Sequence, residues 1–340
     1  MSKIPAAIVG LSLGVLGLCV PSAAQTTPPL TLIKTIPLEG YMGAFDHFAY
    51  DPARRRFLLA AEDHGTVDVF DLQTGSHLQT LPGFDKPHNI VVRSGAATIL
   101  VADSGPSKSQ LLDAVSYQKL KSLPLEIGAN ATLYDAQRDR IYITTGGDRV
   151  KRQRSTLIAA DPDTGAVLKS VALPSIHLQP LALDAATNRI FVNLADKDMV
   201  AVVDRDSFRL LDQWPTGTAK RNSAIAFDGV KHRLFVVGEP GALAVLNSDT
   251  GKITNTVSIP ADADDLAFDE VAHRLYIPGG DGFLGVYDTT DPDDVKEVAR
   301  IATRKEARTG MLIPSEHKYL LAASEIDGNA AAVMIFEVQQ

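Results

Sequence analysis

The sequence predicts an all-β fold: a seven-bladed β-propeller with four-stranded blades, whose N-terminal strand completes the last blade. Three observations predict it. The phrase "AYDPARRRFLL" (49–59) returns as "LYDAQRDRIYI" (133–143), "ALDAATNRIFV" (182–192), "AFDGVKHRLFV" (226–236) and "AFDEVAHRLYI" (267–277). With the degenerate copies "VVRSGAATILV" (91–101) and "LIPSEHKYLLA" (312–322), the equivalent positions Asp51, Arg93, Asp135, Asp184, Asp228, Asp269 and Pro314 are spaced 42, 42, 49, 44, 41 and 45 residues apart. That is the period range of propeller blades. Finally, the last unit stops after a third strand, while the spare strand "LTLIKTIPL" (30–38) precedes the first unit.

From the N-terminus, residues 1–24 read as a cleaved secretory signal peptide. Lys3 is the only charge, an apolar run follows from about Ala6 to Val20, and Ser22, Ala23 and Ala24 form a small-residue cleavage site. The run is short for a bilayer crossing and no basic stop-transfer cluster follows, so no transmembrane anchor is expected after cleavage. Leu18 stands before Cys19 where lipid attachment needs a small residue. The expected location is periplasmic or secreted. Cleavage removes the only cysteine, so no disulfide, haem c attachment or iron–sulfur cluster is expected in the mature chain.

Residues 25–340 form the single expected propeller domain. In each unit a short apolar strand ends at an Asp, an Arg- or His-containing hairpin leads to a second strand, and a polar turn gives a third. Turns such as "DLQTG", "DPDTG" and "NSDTG" lead to the fourth, because Asp or Asn bonds back to its own backbone while Gly accepts positive φ. Pairing the spare N-terminal strand with the last unit closes the ring and hides a sheet edge. The insertion "TTGGDRVKRQRS" (144–155) lengthens one turn of the third blade and gathers Arg149, Lys151, Arg152 and Arg154. It reads as a solvated loop or a binding protrusion.

The repeat phrase, the seven units and the turns at Val67–Gly75, Leu157–Gly165 and Leu243–Gly251 resemble the bacterial YVTN-repeat, YncE-like propellers, and more distantly the haem d1 propeller of cytochrome cd1 nitrite reductase. The resemblance covers essentially the whole mature chain. It implies an exported binding or scaffolding module and supplies no catalytic set. No C-x-x-C-H motif is present, and the single Trp214 cannot supply the recurring tryptophan turns of quinoprotein dehydrogenase propellers.

The formal net charge is −8 with Lys3 included, and no basic stripe is apparent. Nucleic acid is therefore not an expected partner. A soluble monomer binding a small molecule or a protein is. No G-x-S-x-G elbow supports serine hydrolysis, and "TTGGD" and "PGGDG" are turns between strands with no helix to receive a phosphate.

In a propeller the loops entering the innermost strands converge at one mouth of the channel. Four to six residues before the repeat anchors stand Asp46 and His47, His88 and Asn89, Asn130, Gln179, Asn222 and Ser223, Asp264 and Asp265, and Arg308 and Thr309. Convergent polar groups at such a mouth are the default ligand site. His47, His88, Asn89, Asn130, Asn222, Asp265 and Arg308 are the expected ligand-binding residues. His47, His88 and Asp265 form the expected divalent-metal set, since two His and a carboxylate are a recurring shell. Arg308 is expected to pair with a ring carboxylate of the preceding blade. His232, His273 and His317, with Arg56, Arg140 and Arg189, belong to the opposite face as structural residues. Two readings of function follow. The first is a non-enzymatic exported propeller that binds a ligand or partner at the mouth; the alternative is a metal-assisted hydrolase, lactonase or lyase using His47, His88 and Asp265.

Overall fold

The turn chemistry of the repeat sets the architecture. Asp51 is fully buried, and its carboxylate accepts the amide of Ala53 at 3.0 Å and the guanidinium of Arg54 at 2.9 Å. Asp228 holds the amides of Val230 and Lys231 in the same way, and Asp269 those of Val271 and Ala272. The hairpin then passes through a left-handed residue: Arg55, Asp139, Asn188, His232, His273 and His317 all have φ between 46° and 63°. The histidines of the repeat phrase are therefore hairpin residues.

In blades 1, 4, 5 and 6 the next residue ties the blade to the following one. Arg189 donates to the carbonyl of Ser248 at 2.6 Å and to Asp249 at 3.0 Å, Arg233 forks onto Asp293 at 2.8 and 2.9 Å, and Arg274 reaches the carbonyl of Gln339 at 2.9 Å. Arg56 reaches the hydroxyl of Tyr117 at 2.9 Å. Arg55 of the first blade pairs with Glu316 of the last, across the closure of the ring. The repeated basic residue is thus a clamp between blades.

The computed structural model describes Met1, residues 28–106 and residues 108–339. The expected leader, beyond Met1, and its cleavage point lie outside the described residues. Seven four-stranded antiparallel sheets follow one another around the axis. Blades 1 to 6 occupy residues 48–81, 87–122, 132–173, 178–215, 220–258 and 267–302. Blade 7 takes its inner three strands from residues 309–338, and Leu30–Leu38 pairs with Ala331–Val338 as its outermost strand, in register from Leu30 opposite Val338 to Leu38 opposite Ala331. Early and late segments of the chain thereby share one sheet.

The core lies between blades. Leu38, Phe48, Phe57, Phe70, Leu320 and Ile335 pack together where blades 7 and 1 meet. Phe191, Trp214, Ile225 and Leu246 do so between blades 4 and 5. Each such side chain contributes about 1.5–3 kcal/mol when fully buried. The tight turns leading to fourth strands follow the sequence reading: Asp71 accepts the amide and hydroxyl of Thr74 at 2.7 and 2.8 Å, and Gly75 has φ 66°. In blades 2 and 4 Tyr117 and Phe208 occupy the glycine position at φ 59° and 57°, held there by burial of their rings. Among the described residues no helix is long and apolar enough to cross a membrane.

Candidate metal centre at the channel mouth

The loops entering the inner strands bring Asp46, His47, Asn130, Gln179, Asp264 and Arg308 around one chamber of about 50 Å³, with Glu62 from the end of a second strand. Backbone pairing places Glu62. The amide of Asp46 donates to the carbonyl of Ala60 at 2.9 Å, and Glu62 lies two residues beyond Ala60, on the same face of the strand direction. His88 comes from the inner strand of blade 2, Pro87–Arg93, whose register slips between Pro87 and Asn89. A bulge of this kind re-aims a side chain. His88 is almost fully buried and its Nδ1 is in close contact with Asp46 Oδ2.

One donor atom from each of Asp46, Glu62 and His88 lies within 4.8 Å of the other two. The chemistry of the set, one imidazole and two carboxylates, suits a divalent transition ion such as Mn²⁺ or Zn²⁺. The sequence expected His47, His88 and Asp265. The converging set keeps His88 and replaces the other two, because both ring nitrogens of His47 are occupied: Nε2 faces Asp46 at 3.2 Å and Nδ1 faces Asp265 at 3.0 Å. Burial alone would lower the pKa of this imidazole, but Asp265 and then Asp46, with Asp264 beyond, overwhelm it and raise it to about 10. His47 is an imidazolium at neutral pH. It has no lone pair for a metal, and it instead fixes Asp46.

Asp265 is anchored on its other side by the amide of Gly310 at 3.0 Å. Position 310 must be glycine, because a Cβ there would collide with the hydroxyl of Tyr319. Arg308 pairs with Asp262 at 2.8 Å and stands 3.7 Å from Asp264 and 3.8 Å from Glu306. Its charge is already matched, so it orders the acidic rim. Asp264 lines a water-accessible chamber yet has protein around it. Burial, then repulsion by Asp46, partly offset by Arg308, raises its pKa to about 6. Lys86 holds Glu62 at 3.3 Å and Asp63 at 3.1 Å.

The remaining expected ligand residues divide. Asn130 lines the chamber. Asn89 accepts a hydrogen bond from the hydroxyl of Thr132 and ties blade 2 to blade 3. Asn222 is fully buried and donates to Asn193 Oδ1 at 2.7 Å and the carbonyl of Met199 at 2.8 Å, so it braces the wall and does not face the mouth. Glu62 escaped sequence reading. Its available signal was parity: in "LLAAED" it shares a face with Leu58 and Ala60.

No protein-family model and no curated protein matches this chain. Among solved structures, a chain in the crystal structure of a mitotic checkpoint complex is similar over 99% of this chain and 100% of that one, at 13% identity and a TM-score of 0.76. This chain is a seven-bladed β-propeller. At that identity the likeness shows the fold alone, and the propeller's function must be argued from its mouth.

Proposed function

We propose that this propeller holds a divalent cation between Asp46, Glu62 and His88 and uses it as a metal-assisted hydrolase, lactonase or lyase on a small substrate entering the channel mouth. The observation that carries the proposal is the mutual approach of three donor atoms within 4.8 Å. Three protein ligands leave coordination positions open, as catalytic sites require. An ion there would polarise a substrate oxygen or lower the pKa of a bound water. The chain supplies the rest. His47 holds Asp46 in place, and Asp264, with its pKa raised to about 6, has the proton affinity of a general acid–base near neutral pH. The leader-like N-terminal sequence and the resemblance of the repeat to YVTN-type propellers support a location outside the cytoplasm as part of the same proposal.

Mn²⁺ titration of chelator-treated protein tests it. One ion per chain is expected, with binding reduced at least tenfold in Glu62→Gln and in His88→Gln. Absence of saturable Mn²⁺ and Zn²⁺ binding would overturn the reading. Metal binding without metal-dependent turnover of a panel of esters, lactones and elimination substrates would refute the catalytic part and leave a ligand-binding propeller.

A further inference from the structure

The insertion 144–155 lengthens one turn of blade 3 and gathers basic residues in a chain of net charge −8. Its course is pinned by the backbone. Gly146 and Gly147 pass through left-handed φ of 80° and 97°, and the amide of Asp148 donates at 2.9 Å to the carbonyl of Ile176, in the loop entering blade 4. A short 3₁₀ segment, Asp148–Val150, then ends on Lys151, whose amide returns to the carbonyl of Asp148 at 2.9 Å. The carbonyl of Gly147 accepts the amide of Arg152 at 2.8 Å and closes the loop. Lys151, Arg152 and Arg154 are exposed, and none of the three is ion-paired with another described residue.

This loop forms one wall of a groove of about 710 Å³ that runs over blades 1, 2 and 3. Small-molecule sites have volumes of about 300–1,000 Å³. Glu62 and His88 line the groove and belong also to the triad, so the groove leads to the cation site. Pro106, Ile127 and Val150 give it an apolar wall. Its carboxylates are Glu62, Asp63 and Asp85. Lys86 already holds the first two, at 3.3 and 3.1 Å, and the proposed ion would share Glu62. Asp85 is exposed and packs against Gly105, where a Cβ would collide with its carboxylate. That leaves Lys151 as the ammonium of the lining with no carboxylate of its own. An unmatched ammonium on one wall, an ion at another and hydrocarbon between them complement an anionic group on an aliphatic body, and they repel a cationic ligand twice.

We propose that this groove selects a small carboxylate-bearing substrate with an aliphatic body, and that Lys151 is the specificity-determining residue that takes the carboxylate. The proposal rests on the cation reading for the chemistry at the substrate's other end, while the charge preference belongs to Lys151.

Ligand-observed NMR titrations of the full chain in Zn²⁺-containing buffer, with hexanoate, hexanamide and hexylammonium as probes, test it. The three share a length and an aliphatic body and differ in charge. Hexanoate is expected to bind tightest. Lys151→Gln should weaken hexanoate about threefold, within the range of one exposed ion pair, and leave hexanamide unchanged, while Lys151→Arg keeps the preference. Because Lys151 is exposed, the urea midpoint should not move in either variant. The inference is overturned if hexanamide or hexylammonium binds as tightly as hexanoate. It is equally overturned if Lys151→Gln binds hexanoate as the wild type does, the result expected of a carboxylate that sits on the ion alone. Separate Zn²⁺ titration of the same protein distinguishes the two failures. A Lys151-dependent preference in a protein that takes no Zn²⁺ would refute only the cation reading, and Zn²⁺ binding without that preference would refute only the selection by the groove.

Discussion

Replacing His47 by Gln probes the electrostatics of the mouth directly. The variant keeps a hydrogen-bonding side chain between Asp46 and Asp265 but removes the positive charge. The imidazole's displacement from 6.5 to about 10 corresponds to on the order of 5 kcal/mol of differential interaction. Side-chain exposure of 18% and water in the chamber reduce this to roughly 2–3 kcal/mol. The sign follows from linkage. A raised pKa contributes stability that is complete below the unfolded value near 6.5 and is lost as pH rises through about 10. Equilibrium urea unfolding of wild type and His47→Gln at pH 6, 8 and 10 should therefore show a stability gap that is largest at pH 6 and shrinks toward pH 10. Titration of Lys and Tyr elsewhere affects both proteins and cancels in the difference. A gap that does not change across this range, or a wild-type His47 ring titrating near 6.5 by NMR, would refute the imidazolium assignment and return His47 to the set of possible metal ligands.

Other perturbations follow from the same structure. Arg205 forks onto Asp135, with Nε at 2.8 Å, and both are almost fully buried; Arg205→Met should destabilise the fold by about 3–5 kcal/mol in urea unfolding, and adding Asp135→Asn should recover much of the loss. Because burial raises the Asp135 pKa but Arg205 and Tyr142 more than reverse it, the net shift is downward; this pair's stabilisation is present above the unfolded carboxylate pKa and is lost as pH falls through the lower folded value, so the acid limb of the wild type should be steeper than that of the double variant. Lys86→Met frees Glu62 from a competing ammonium and should raise Mn²⁺ affinity severalfold by titration. Deleting residues 28–38 exposes the edge of Ala331–Val338; light scattering should then show self-association of the truncated chain.

Much of the fold was legible because the repeat residues serve backbone needs that recur identically. Asp228 and Asp269 cap the same turn, His232 and His273 accept the same left-handed conformation, and Arg233 and Arg274 clamp the next blade. The two degenerate copies were legible only by rhythm. There the turn is made by short 3₁₀ segments, Ser94–Ala96 and Pro314–Glu316, which end on Ala97 and His317 at φ 50°. A turn that satisfies its amides through the backbone has no need of the capping Asp.

The mouth was legible as a location and much less so as a set of partners, since which side chains meet depends on sub-residue displacements. The register slips at Pro87–Asn89, Leu178–Leu181 and Lys220–Ala224 re-aim side chains where inner strands enter the channel. One such slip accompanies the burial of His88; another lies where Asn222 turns into the wall. Periodicity cannot predict a bulge, because the extra residue inverts the alternation on which the reading depends.

Charge bears on where the proposed cation would sit. Ring closure collects Asp46, Glu62, Asp264 and Asp265 around one mouth, and like charges in a partly dehydrated space must be compensated. His47 is fixed between Asp46 and Asp265, and Arg308 is held among Asp262, Asp264 and Glu306. Arg308 is spent on the side of the mouth formed by blades 6 and 7, and His47 bridges that side to Asp46 of blade 1. On the opposite side the nearby ammonium that reaches Glu62 is Lys86, half exposed and shared with Asp63. On that side Asp46, Glu62 and His88 bring one donor atom each within 4.8 Å of the others. A divalent ion, as proposed, would be drawn to that corner by the acidic field, and the imidazole would favour it there over the rest of the acidic rim.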